Sequence, residues 1–348
     1  MIDGNESVFG RVKEFVHRHF LWLLIVAYVL AALWSGPGES LRRLAVGSSD
    51  TGVAISLPML LLAVLLFNAG IGANVSELTA VLRRPRALVV GVVANALVPI
   101  GFLLLLAQGL RSWPDPDEAQ CLLVGLAVVA AMPVAGSSTA WAQNANGSAA
   151  LSLGLVVLST LLSPVTTPLT LAAVEPLTQG DYAVAIGELG GRGTGTFLLA
   201  CVVFPSLAGM ACRCFGVAWI NRIKPTIKFI NSIVLLALCY TNASSVLPKI
   251  AAEPDWDFLA LCLSAVVGLC LAAFAAGWVL ARLLQSSESQ TRSLVFALGM
   301  NNNGTGIVLA CSALAGLPGA VLPVLAYNLV QHLVAGGVNR QLGKGIDG

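Results

Sequence analysis

The sequence predicts an all-α integral membrane protein of ten transmembrane helices arranged as two inverted five-helix repeats. Three observations carry this. The chain is 57% hydrophobic and only 10% charged, with a mean hydropathy of +0.85, far too apolar for a soluble domain of 348 residues. Apolar runs near the length of a span recur ten times, with short polar connections. Finally, an even number of spans places both termini on one side, and fourteen of the nineteen Lys and Arg residues then fall on that side. The bias makes the terminal side cytoplasmic and the protein a multi-pass component of the cell membrane.

In chain order, residues 1–19 are polar and read as a short surface helix with Arg11, Lys13 and Arg18 near the headgroups. The first repeat covers 20–173, with spans at about 20–34, 53–69, 87–110, 121–143 and 149–173. The stretch 175–192 is the longest polar break and is taken as the joint. The second repeat covers 194–338, with spans at about 194–212, 226–240, 258–284, 293–315 and 320–338. Basic residues are scattered through loops, which excludes a nucleic-acid surface. The eight cysteines show no CxxC spacing and read as small buried hydrophobes.

The chemistry concentrates in two stretches. LGMNNNGTG, Leu298 to Gly306, interrupts an apolar run with three asparagines between glycines. Amides without partners in hydrocarbon are costly, so this helix must break at mid-membrane and turn its polar groups toward protein or water. AMPVAGSSTAWAQNANGS occupies the corresponding span of the first half. Five spans per half is an odd number, which inverts the second repeat, and paired interrupted helices in inverted repeats point to a binding site at the midplane.

The candidate ligands are neutral: Asn95, Ser138, Thr139, Ser152, Asn301, Asn302 and Asn303, joined by the freed main chain at Leu298 and Met300. Such oxygens suit a small hard cation, and half-helix N-termini suit an anionic substrate group. All seventeen acids fall in loops or at helix ends. No Ser/His or paired-carboxylate arrangement lies within the spans, so no catalytic residue and no organic cofactor is expected. The bland reading of Ser152 is a hydroxyl bonded back to its own helix.

The stretches 66–99, 132–170 and 294–310 resemble the bile acid:sodium symporter family of ten-helix transporters for bile acids and other organic anions. The resemblance implies a panel domain of the first, second, sixth and seventh spans, and a core domain in which two broken helices cross. It also implies a sodium site that maps onto Asn95, Ser138, Ser152 and Asn301, with the neighbouring hydroxyl on Thr139 and one hydroxyl ligand replaced by Val156. The acid that serves both of the family's sodium sites falls on Ala297. The expectation is therefore a secondary transporter of small organic anions with membrane lipid around it and sodium as at most a weakly held ion. The alternative is a ligand-binding membrane sensor that does not transport.

Overall fold

The computed structural model describes residues 3–46, 55–74, 79, 81 and 85–344; the expected cytoplasmic Arg83 and Arg84 lie outside them. Helices α1 (Asp3–Arg18), α2 (Phe20–Leu33) and α3 (Gly36–Arg42) precede a two-residue hairpin, β1 (Ala45–Val46) with β2 (Ile55–Ser56). Then come α4 (Leu57–Gly72), α5 (Arg86–Leu110), α6 (Pro116–Ala131), α7 (Gly136–Asn144) and α8 (Ala149–Val174). The second half holds α9 (Gly180–Gly190), α10 (Arg192–Leu198), α11 (Phe204–Phe215), α12 (Val217–Ala243) and α13 (Leu247–Ala252). It closes with α14 (Trp256–Leu283), α15 (Glu288–Gly299), α16 (Asn303–Ala313) and α17 (Pro318–Lys344).

Six described helices are long and apolar enough to cross a bilayer by themselves: Arg86–Leu110, Ala149–Leu177, Gly193–Phe215, Val217–Ala243, Trp256–Leu283 and Pro318–Leu342. The other apolar segments are either short, as α2 and α4 are, or interrupted, as α6/α7 and α15/α16 are. The polar stretch 175–192 is largely helical, with a 3₁₀ turn at Glu175–Leu177 and then α9. Ile186 and Leu189 are buried there, which gives α9 an apolar side that the net polarity of the stretch conceals.

α5 shows how sequence becomes a membrane helix. Leu88, Gly91, Asn95, Pro99 and Leu103 recur every three or four residues and form one buried stripe. Val89, Val93, Leu97, Leu104 and Leu105 cover the remaining surface and are exposed. Apolar residues all round a helix, inside and out, fit hydrocarbon as the outer solvent.

The chain forms two compact units, one of residues 1–73 with 204–252 and one of residues 74–203 with 253–348. Each half of the sequence thus contributes to both. In the first unit, α4 and α11 approach through Gly70 and Gly209: a Cβ on Gly70 would meet the Ser206 carbonyl, and one on Gly209 the Phe67 carbonyl. Asn68 Nδ2 donates to Asn231 Oδ1 at 2.8 Å, joining α4 to α12. In the second unit, glycine again sets the closest approaches. A Cβ on Gly125 of α6 would meet the Ala320 carbonyl of α17, and one on Gly277 of α14 would meet the backbone of Leu294 and Val295 in α15.

Candidate functional site

α6 begins at an N-cap, Asp115, whose carboxylate accepts from the N–H groups of Asp117 at 2.8 Å and Glu118 at 3.3 Å. It ends because Pro133 cannot continue the ladder and pushes Met132 to extended backbone at φ −79°, ψ 144°. α15 begins with a reciprocal capping box between Ser287 and Gln290. It ends at Met300, also extended at φ −130°, ψ 112°. α7 resumes at Gly136 and α16 at Asn303.

The two unwound segments pair with each other. Val134 and Asn301 form an antiparallel bridge, the Ala135 N–H donating to the Met300 carbonyl at 2.8 Å and the Asn302 N–H to the Pro133 carbonyl at 2.8 Å. Each break therefore supplies main-chain partners that the other lost, which is how non-helical backbone survives at membrane depth. Side chains complete the repair. Asn301 Nδ2 donates to the Val129 carbonyl at 2.9 Å, Thr167 Oγ1 to Ala131 at 2.7 Å, and Asn95 Nδ2 to Met132 at 3.3 Å, covering the frayed end of α6. Ser159 Oγ accepts the Val134 N–H at 3.1 Å, and Gln331 Oε1 of α17 accepts the Asn301 N–H at 3.0 Å.

What this arrangement leaves over defines the site. Asn95 Oδ1, Ser138 Oγ, Asn301 Oδ1, both amide atoms of Asn303 and Thr305 Oγ1 are buried and meet no protein partner. An unmet buried polar group costs about 1–3 kcal/mol. Buried polar groups ordinarily find a partner, so six such atoms gathered on α5, α7 and the second break with α16 point to a polar occupant. Five are oxygens, and every one is uncharged. α7 and α16 both start beside the paired breaks, so their positive dipole ends lie there with no basic side chain on either helix.

The remaining sequence candidates are placed differently. Ser152 Oγ donates to its own helix, with Ser148 O at 3.0 Å and Ala149 O at 3.2 Å, and Thr139 Oγ1 donates to Gly136 O at 2.6 Å. Both keep only acceptor capacity. Asn302 is the N-cap of α16, its Oδ1 accepting from the Thr305 N–H at 3.4 Å. The Met300 carbonyl already accepts from Ala135, and Leu298 packs into an aliphatic cluster with Leu88, Val134, Leu151, Leu155, Ala281 and Leu294. Ala297 belongs to the same cluster and is fully buried. Among the described residues of α5–α8 and α14–α17, carboxylates occur only in first helical turns, at Asp117, Glu118, Asp257 and Glu288.

Sequence reasoning passed over Thr305, Ser159, Thr167 and Gln331. One signal was available for α8, where Ser152, Ser159, Ser163, Thr167 and Thr170 recur at helical spacing and form a buried hydroxyl stripe.

At the N-terminal end of α6, Glu118 lies with Asp255 and Asp257, their carboxylate oxygens within 4.8 Å of one another. Desolvation, then hydrogen bonding with Asp255 and the charges of Asp255 and Asp257, push the Glu118 carboxyl above its ordinary range, against a lowering by the Trp113 indole that donates to it at 2.7 Å. Asp255 is held below its range by hydrogen bonds with Asp257, the Phe258 N–H and Glu118.

Comparison with known proteins places the sequence among membrane transporters. The sequence model described as the Sodium Bile acid symporter family matches residues 59–253, ending before the second break. An uncharacterized sodium-dependent transporter of Bacillus subtilis, YocS, is 26% identical over 79% of this chain and 80% of its own length. The uncharacterized protein YbaS of the same organism is 26% identical over 61% of this chain and 66% of its own. A probable sodium/metabolite cotransporter of rice chloroplasts, BASS1, is 26% identical over 96% of this chain and 76% of its own. With more than half of its length matched by one family of membrane transporters, the chain belongs to the sodium bile acid symporter family.

Proposed function

We propose that this protein is a secondary transporter of small organic anions that works by alternating access around the crossing of α6/α7 and α15/α16, with transport that depends little on sodium. The observation that carries the reading is the set of six unpartnered buried polar atoms on Asn95, Ser138, Asn301, Asn303 and Thr305. Paired breaks with half-helix N-termini supply the polarity that an anionic head group needs. Two of the relatives are named for sodium-dependent transport or sodium/metabolite cotransport, which makes sodium the expected co-substrate. The neutral oxygens of Asn95, Ser138 and Asn301, with the acceptor lone pairs of Ser152, are the groups that would hold it here. With Ala297 among aliphatic side chains, no carboxylate offsets the cost of desolvating that ion.

In this reading the six continuous helices, the two shorter ones and the two interrupted pairs make ten spans in two inverted repeats, with both termini cytoplasmic. A membrane-impermeant thiol probe should label an Asp181→Cys variant from outside the cell. Labelling only after permeabilisation would reverse the orientation.

Uptake into proteoliposomes tests the function itself. Concentrative or exchange flux of an organic acid above protein-free vesicles supports transport. Saturable binding of the same acid without flux would make the protein a sensor.

A further inference from the structure

Helix α1 ends at Arg18 and α2 begins at Phe20, and the axes of the two meet at 73°. α2 carries no charged residue and exposes Trp22, Val26, Val29, Leu30 and Leu33, the surface of a segment set in hydrocarbon. A pair bent in this way is either one broken span or a span with a helix lying on the bilayer surface. The sequence decides between them. Residues 10–18 hold Arg11, Lys13, Glu14 and Arg18, too much charge for the hydrocarbon core. A sharp bend from a span therefore lays α1 along the membrane surface.

The side chains of α1 are arranged for that position. At about 100° per residue, Val12, Phe15 and His19 fall within about 60° of one another. Val12 is 44% and Phe15 56% exposed, while Val16, on the neighbouring face, is 8% exposed and packs into the protein. The Phe15 and His19 rings lie 4.7 Å apart and extend the stripe to the start of α2. Arg11 and Arg18 flank one edge of this stripe, and Glu14 lies beyond them on the side away from it. Lys13 flanks the other edge and donates from Nζ to Thr226 Oγ1 of α12 at 3.0 Å. That hydrogen bond sets α1 beside the basic start of α12, where Arg222, Lys224 and Lys228 are exposed.

We propose that α1 is an interfacial helix that binds an anionic phospholipid surface, with Val12 and Phe15 entering the headgroup boundary and Arg11 and Arg18 meeting lipid phosphates. Two features identify the occupant. The stripe continues into the lipid-exposed surface of α2, and the charge bordering it is net positive over residues 10–18, with Arg11, Lys13 and Arg18 against Glu14, and on the adjoining turns of α12. An exposed apolar stripe bordered by cations is what binds acidic lipid rather than neutral lipid. The inference is independent of the transport reading, because it concerns a surface and not the crossing.

The test uses the full chain in nanodiscs of phosphatidylcholine alone and of phosphatidylcholine mixed with phosphatidylglycerol, with hydrogen exchange followed across residues 10–18. Exchange should slow in the anionic discs, by about fivefold for each cation that engages lipid. The effect should fade at high salt. It should also disappear in the double variant Arg11→Gln/Arg18→Gln, with α2 unchanged as the internal reference. Equal exchange in both lipids, or a silent double variant, would overturn the proposal. Protection that tracks the number of protomers per disc would assign the stripe to a second copy instead. A Phe15→Trp variant quenched from the bilayer centre rather than from the headgroup boundary would restore the broken-span reading.

Discussion

The main-chain N–H of Asn301 donates to Oε1 of Gln331 at 3.0 Å, joining the second break to the last helix across thirty residues of sequence. Both residues are buried. The bond holds the unwound segment that carries the unpartnered Asn301 Oδ1. Gln331→Met keeps the volume and removes the acceptor. It should lower stability in detergent by about 1–3 kcal/mol. Thermal unfolding followed by tryptophan fluorescence checks this, and an unchanged midpoint would show that the Asn301 N–H finds another partner.

The acidic group at the start of α6 gives a pH prediction. Glu118 has a raised carboxyl pKa in the folded protein, so its favourable contribution is complete at acid pH and is lost as pH rises through the folded value. Glu118→Gln keeps an acceptor for the Trp113 indole and cannot ionise. The variant should match the parent near pH 4 and be the more stable of the two by about pH 7, by linkage alone. A titration of melting temperature reads the difference; a parent whose stability rises relative to the variant across that interval would contradict the sign.

How much of this was legible in the sequence depends on whether a residue's role is local. The breaks were legible, because three consecutive asparagines between glycines, and a Pro beside a polar run, are costly inside an unbroken membrane helix, and Asn95, Ser138, Asn301 and Asn303 carry unpartnered buried atoms in the structure. Ser152 makes the local bond that membrane serines commonly make, and Asn302 acts as an N-cap. Gln331 was not legible, and the hydroxyl spacing of α8 marked Ser159 and Thr167 without their partners, since each takes its role from a carbonyl or N–H on another helix. The mutual pairing of the breaks through Val134 and Asn301 has the same character. The helix within 175–192 was hidden because glycine and acidic residues outweigh its two buried aliphatic positions.

Ala297 offers a test in the opposite direction. A glutamate there would place a carboxylate among Leu88, Leu151, Leu155 and Leu294, and overpacking alone costs about 1–3 kcal/mol. Ala297→Glu should therefore be less stable than the parent in potassium, and sodium should recover part of the loss by pairing with the buried charge. Melting temperature in the two salts at matched ionic strength measures it. Equal destabilisation in both would mean that the neighbouring oxygens cannot complete a sodium site even when an anion is supplied.

Flux in the unmodified protein most directly tests whether this member of the family moves an organic anion through a site of neutral oxygens. Uptake of a transported acid into proteoliposomes is measured with external sodium replaced stepwise by potassium or choline at constant ionic strength. Uptake should be substrate-saturable and change little across the replacement. A steep, saturable sodium requirement would contradict it and show that the Asn95, Ser138 and Asn301 oxygens form a tight cation site without any carboxylate.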